Sequence, residues 1–360
     1  MKSELLIISA DDVEHLIRTA VKPEEVVQCM ARVFEMVSGS EIGEGVTSEH
    51  DRVQQPPRLT TLSPAHATLY MPSRLPAPAT ESSSIYSAIK VVSVSRTGGE
   101  GGLPGTTLVL DEKTGVARAV VNSRALTALR NAAGSVLATR LLGPKTPAHL
   151  VLFGAGLQIR QHARLMIQTY PSITHCTIIN RSLNDRFTEL LADLTMEFLT
   201  LRLEGLVSGA QNIEPAVRNA DIICTATSSN QPLFDSKWLK DGAHVNLIGS
   251  YTSTMREADT GLIKRAGRQV VVDEAKSCLV EAGELIDAEM KEEELVEIGT
   301  LVRPGAVEAV ERVRQAGNVT VFKSVGVGAQ DVAIAALMVE LAEKDGRVAV
   351  GVLRPRWGLA

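Results

Sequence analysis

Residues 150–158 read LVLFGAGLQ: four apolar residues, then Gly154-Ala155-Gly156, then Leu157 and Gln158 leading into a segment (159–169) with helix-like composition. A buried strand, a Gly-x-Gly turn and a helix N-terminus in that order present backbone N–H groups to a pyrophosphate. The third small residue of the fingerprint falls on Ile159, which is large. An ordinary tight turn would use the same glycines, so the surrounding chain has to decide.

Outward from this turn, strand-like runs at 149–153, 174–179, 221–225, 244–248 and 269–272 alternate with helical stretches, the signature of βαβ units and a parallel sheet. A helix over 123–142, ended by Gly143-Pro144, precedes them. The expected fold class is therefore α/β, with a Rossmann-type doubly wound nucleotide domain over 122–318. In such a domain the second strand ends roughly 20–25 residues past the glycines, at the residue that reads the ribose. Here that place holds Asn180, with Arg181 and Ser182 next and Arg186 close by. An NAD site carries Asp or Glu there. A guanidinium instead takes a 2′-phosphate bidentately, which favours NADPH (NADP+) over NADH, the plain alternative being a merely exposed arginine. The run DIICTAT (221–227) puts Thr225, Ala226 and Thr227 at the carboxyl edge of a buried strand, where a cofactor would lie.

The remainder reads as a second, α+β domain made of residues 1–121 with 319–360. Residues 3–9 suggest a strand, Asp11 or Asp12 a helix cap, and Lys22-Pro23 the opening of another helix. Polar loops are expected at 39–57 and 72–84, with extended runs at 68–71, 87–94 and 106–110 between and after them. DEKTG (111–115) forms a hairpin turn with VARAVV as its return strand, so an antiparallel sheet is expected. After 319–322, an apolar helix over 329–343 returns to this domain. The acidic stretch 281–297 reads as a solvated helical face.

Composition sets the class. The 360 residues are 44% hydrophobic and 22% charged, with a net charge of −5, an ordinary soluble balance that argues against nucleic acid as main partner. Four scattered cysteines without a Cys/His cluster imply reduced packing residues and no structural metal. The apolar run in MKSELLIISADDVEHL is too short for a signal peptide, and no stretch reaches the ~18 apolar residues of a membrane span, so a cytoplasmic address is expected.

PPR (56–58), IKVVSV (89–94), LTALRNAAGSVLA (126–138), GAGLQ (154–158), ADIICTATSS (220–229), WLKDGAHVNLIGS (238–250), MREAD (255–259), VVVD (270–273), EAGEL (281–285) and FKSVGVGAQD (322–331), in this order, resemble the ornithine cyclodeaminase/mu-crystallin family. The resemblance implies a homodimer whose N-terminal region and C-terminal helix form the dimerisation and substrate domain. It carries Arg58, Lys90 and Arg130 onto the family's basic substrate-site positions. Chemistry supports that trio: arginine clamps the carboxylate of a 2-imino or 2-amino acid bidentately, and a lysine of depressed pKa exchanges the proton that separates amine from imine. Ser250 is expected to bind the cofactor, and the segment Phe322 to Gly328, with Lys323, Ser324, Val325 and Gly326, to close over its nicotinamide end, although a plain turn would explain Gly326 and Gly328 too.

One position departs. Cyclodeaminases carry aspartate where this chain has Tyr251, directly after Gly249-Ser250. Tyrosine, with a reference pKa near ~10, is a poor base at neutral pH but a good hydrogen-bond donor. Reduction of a preformed ketimine or cyclic 2-imino acid (pyrroline- or piperideine-2-carboxylate class) by NADPH is therefore favoured, with Lys90 and Tyr251 as catalytic groups. The alternatives are an amino-acid cyclodeaminase, an amino-acid dehydrogenase and a non-catalytic nucleotide-dependent binding protein.

Overall fold

The computed structural model describes residues 5–39, 52–76, 86–96, 104–345 and 350–351. Most of the loops expected at 39–57 and 72–84 lies outside them. Strands β1 (Leu5–Ile8), β2 (Leu59–Leu62), β3 (His66–Leu75), β4 (Tyr86–Ser95), β5 (Gly105–Asp111) and β6 (Ala117–Asn122) precede the long helix Arg124–Leu142. After it come β7 (His149–Phe153), β8 (His175–Asn180), β9 (Arg202–Val207), β10 (Ile222–Thr225), β11 (His244–Leu247), β12 (Val270–Val272), β13 (Leu295–Glu297) and β14 (Thr320–Lys323), with β15 (Val350–Gly351) last. Contacts divide the chain into two compact units, one of residues 1–29, 42–130 and 327–360 and one of residues 30–41 and 131–326.

The first unit is built on a sheet ordered β15-β1-β6-β5-β4-β3-β2. β2 to β6 form an antiparallel meander, whereas β1 pairs parallel to β6, a pairing the antiparallel reading omits. The Asp111–Gly115 turn forms as its residues require: Asp111 Oδ1 accepts from Thr114 N at 2.8 Å, and Gly115 takes φ +70. Pro72, expected in a loop, lies inside β3 opposite Ile89. It sits in the gap between the last β2–β3 pair, Leu59 with Tyr70, and the isolated Gln54–Arg74 bridge, where the strand can do without one N–H. The helix Ala10–Thr19 is capped by Ser9 rather than by Asp11 or Asp12. Ser9 Oγ accepts from Asp12 N at 3.2 Å while Asp12 Oδ2 accepts from Ser9 N at 2.9 Å, a reciprocal capping box. The last helix, Gly328–Asp345, packs its apolar residues Val332, Ala335, Ala336, Met338 and Val339 against β3 to β6 and carries Gln330 and Asp331, also buried, in its first turn.

The second unit holds an eight-stranded parallel sheet ordered β13-β12-β14-β11-β10-β7-β8-β9, the Rossmann-type doubly wound arrangement. β14 sits inside this sheet between β11 and β12, so residues 319–326 belong with the second unit, not with the C-terminal part of the first. The acidic stretch 281–297 is not one solvated helix. It breaks into short helices and β13, and its acids are used locally: Glu284 is buried, Glu294 pairs with Arg268, and Glu297 Oε1 accepts from Ala275 N at 3.1 Å. Along the sheet, β7 is flanked by β8 and β10, so successive connections leave it in opposite directions. The carboxyl ends diverge there and open a crevice.

Candidate functional site

At that crevice the chain turns out of β7 at Gly154, whose φ of +119 suits glycine alone. A Cβ on Gly154 would lie 2.9 Å from the Ala226 carbonyl oxygen and 3.2 Å from Ile159 Cγ1. The buried Ile159 side chain thus packs against the turn from the helix side. Gly156 caps the helix Leu157–Thr169 with extended backbone and no side-chain cap, and a Cβ on it would meet nothing within 4 Å. The turn opens onto a cleft of about 890 Å³, within the ~300–1,000 Å³ of small-molecule sites. Gly154, Ala155, Gly156, Asn180, Arg181, Ser182, Arg186, Ala226 and Thr227 line it. No Asp or Glu is among its lining residues, and its two lining cations are Arg181 and Arg186. The room left at Gly156, an uncapped helix N-terminus and two lining arginines fit the phosphates of a dinucleotide.

Behind the cleft lies a buried framework. Glu257 accepts from Thr225 Oγ1 at 2.6 Å, Thr227 N at 2.6 Å, Thr227 Oγ1 at 2.8 Å and Gly249 N at 2.7 Å, tying the ends of β10 and β11 together. Lys323, wholly buried, donates to the Ser250 carbonyl at 2.6 Å and lies 3.1 Å from Glu284 Oε1. Ser250 Oγ donates to the Met255 carbonyl at 2.7 Å, so the residue before Tyr251 is held on two sides. Asp273 Oδ2 accepts from Ser324 Oγ at 2.6 Å, Val325 N at 3.0 Å and Gly326 N at 2.6 Å. Tyr251 is half-buried, and burial raises the pKa of its phenol, which keeps it a donor.

In the first unit a second cluster forms. Lys90 on β4 is 4% exposed and donates to Asp331 Oδ1 at 3.0 Å. Arg130, 5% exposed, donates through Nε to the same oxygen at 3.2 Å and through Nη1 to Gln330 Oε1 at 2.8 Å. Burial lowers the Lys90 pKa and Arg130 lowers it further, while Asp331 opposes both. Burial disfavours the Asp331 carboxylate too, but the two cations outweigh that and hold its carboxyl below the usual range. The cluster offers a cation pair around one shared anion, with an amine that exchanges protons more readily than a surface lysine.

The profile of the ornithine cyclodeaminase/mu-crystallin family matches residues 16–346. The chain belongs to that family. Among relatives, a Delta(1)-pyrroline-2-carboxylate reductase of Paracoccus denitrificans is 33% identical over 242 residues, covering 65% of this chain and 72% of the relative. The ketimine reductase mu-crystallin of Mus musculus is 29% identical over 232 residues, 64% of this chain and 67% of the relative. The structure of Thermococcus litoralis Delta(1)-pyrroline-2-carboxylate reductase in complex with NADH and L-proline shares the fold, with a TM-score of 0.76, 24% identity, and coverage of 95% of this chain and 98% of that one.

Against the positions read from the sequence, this ornithine cyclodeaminase/mu-crystallin family member brings Lys90 and Arg130 together on Asp331, while Arg58 of the same unit is exposed. In the second unit, the glycine turn and the Asn180–Arg186 segment share the cleft with Ala226 and Thr227. Leu157 and Gln158 begin the helix behind the turn, and Thr225 is buried against Glu257. Ser250 and Lys323 to Gly326 face their own framework partners rather than the cleft wall. Asp331, Gln330, Glu257 and Asp273 were not singled out from sequence. The one available signal was an acid directly ahead of the apolar run 332–339, which for Asp331 is enough to ask for a buried cation.

Proposed function

We propose that this protein reduces a ketimine or cyclic 2-imino acid of the pyrroline- or piperideine-2-carboxylate class to the L-amino acid, with NADPH as the reductant and as a homodimer. The observation that carries the reading is the buried Lys90 beside Arg130: an amine of lowered pKa next to a carboxylate-binding guanidinium. The identity to a pyrroline-2-carboxylate reductase supports the same class. Arg130, with Arg58, binds the substrate carboxylate, and the Lys90 ammonium gives a proton to the imine nitrogen as C2 is reduced. When bound, the reduced nicotinamide supplies the hydride. Gly154, Gly156 and the helix N-terminus hold its pyrophosphate, while Arg181 and Arg186 hold the 2′-phosphate. Tyr251 donates a hydrogen bond that orients the substrate. It cannot replace the carboxylate that cyclodeamination needs to pair with a distal ammonium. β2, exposed along all four residues at the sheet edge, supplies the surface for a second copy.

The test follows the absorbance of NADPH and NADH with each cyclic imine. The expected result is turnover that prefers NADPH by about tenfold or more, the worth of one charge-assisted contact, and is lost in Lys90→Ala. In Arg181→Ala the preference shrinks while NADH turnover is retained. Equal use of both nucleotides overturns the phosphate assignment. Failure to consume either imine while NADPH still binds overturns the substrate class.

A further inference from the structure

A carboxylate buried at the head of an apolar run is unfavourable unless cations meet it, so Asp331 needs an explanation. It stands in the first turn of Gly328–Asp345, 5% exposed, and one of its oxygens receives both Lys90 Nζ at 3.0 Å and Arg130 Nε at 3.2 Å. Next to it, Gln330 Oε1 accepts from Arg130 Nη1 at 2.8 Å and from Val327 N at 3.1 Å, fixing the guanidinium at a second point. The strands flanking Lys90 place Met71 and Thr107 opposite it, neither of them charged. Among the described residues, the charges acting on Lys90 are therefore Asp331 from the last helix and Arg130 from the long one.

We propose that Asp331 is a positioning residue of the reaction: through one oxygen shared with Arg130 it aims the Lys90 ammonium and keeps it protonated until the imine nitrogen takes the proton. Two forces acting on Lys90, burial and the neighbouring guanidinium, drive it toward the neutral amine, which has no proton to give. Asp331 opposes them. When the proton leaves Nζ for the imine nitrogen, Lys90 becomes a neutral amine, Asp331 stays ionised against Arg130, and solvent returns a proton afterwards. The arrangement also explains why the carboxylate is shared: bound to Lys90 alone it would hold the proton too firmly for transfer. The catalytic consequence rests on the imine-reductase reading, whereas the hold on Lys90 does not.

Lysine carbon-13 labelling at Cε in the full chain, with the Lys90 signal assigned from Lys90→Arg, reads the titration of that amine directly. Asp331→Asn should lower its midpoint by about 1–3 pH units, the usual effect of one close opposite charge, and Arg130→Gln should raise it. The alkaline limb of kcat/KM should move down with the midpoint in Asp331→Asn, and Asp331→Glu should restore most of it. A midpoint unmoved by Asp331→Asn, or one that fails to rise in Arg130→Gln, overturns the proposal. Midpoints that move as expected in a protein that reduces no imine uphold the control of Lys90 by Asp331 and sink the reductase reading instead.

Discussion

A methyl group on Gly249 would stand 2.1 Å from the Thr227 carbonyl oxygen and 2.4 Å from Glu257 Oε1, so the backbone there has room for glycine and nothing larger. That crowding exists because Glu257 gathers four donors from two strand ends into one buried carboxylate. Glu257→Gln keeps the size but turns an amide N–H toward groups that are themselves donors. Urea unfolding should show a loss of about 1–3 kcal/mol, the usual cost of a buried unsatisfied polar group, and unchanged stability would mean that the four bonds contribute nothing. The residue scale also shows why such groups escape a linear reading. Lys90 was legible because a lysine in the middle of an apolar strand, at a position the family uses, is unusual. Its partner Asp331 lies 241 positions away and Glu257 lies 32 from Thr225, and no local pattern announces either pairing. Arg58 was legible by the same family match, yet it is exposed, because a motif marks a position and not its surroundings.

At the scale of elements, the strand–turn–helix around Gly154 separates two glycines that look alike in sequence. Gly154 has φ +119 and a carbonyl oxygen 2.9 Å from where its Cβ would be, whereas Gly156 has φ −88 and nothing within 4 Å. Gly154→Ala should therefore cost about 1–3 kcal/mol in thermal or urea unfolding. Gly156→Ala should leave stability alone and weaken NADPH binding, because the new methyl enters the space proposed for the pyrophosphate. If Gly156→Ala binds NADPH as the wild type does, the turn is only a turn. In the parallel sheet the strands legible in sequence were β7, β8, β10, β11 and β12, and all of these but β8 are buried almost throughout, because a strand covered on both faces carries few exposed polar positions. β9 was missed because it is the outer strand of its sheet and mostly exposed, and β13 because it lies in an acidic stretch. Pro72 misled because a residue's single N–H points to one side of its strand, so proline is tolerated wherever that side lacks a ladder partner.

For the molecule as a whole, two buried histidines set a pH dependence. His162 gives Nδ1 to the Gln158 carbonyl at 2.7 Å and meets Ser135 Oγ at 2.9 Å, while His244 lies 2.8 Å from Thr320 Oγ1 and 3.2 Å from Asn246 Oδ1. Burial lowers both pKa values to about 4. An unfolded histidine titrates near ~6.5, so between there and about 4 the unfolded chain binds protons that the folded chain refuses. Stability should be full above that window and fall as pH drops through it, by on the order of 3 kcal/mol per histidine at full development. Both residues lie in the second unit, so the loss belongs to that unit, and replacing either with asparagine should flatten the slope in urea titrations. Assembly is the other property at this scale. β2 is the outermost strand of its sheet, exposed at every residue, with Leu59 and Leu62 each 68% exposed. Their odd spacing points one leucine to each face, and both are left exposed. An apolar edge of this kind invites another strand unless something blocks it, and a second copy of the chain offers the same edge. Light scattering should give twice the mass of one chain, and charging the edge with Leu59→Glu and Leu62→Glu together should halve it without unfolding either unit. A wild-type mass of a single chain would remove the homodimer from the proposal and leave β2 as an edge that tolerates its exposure.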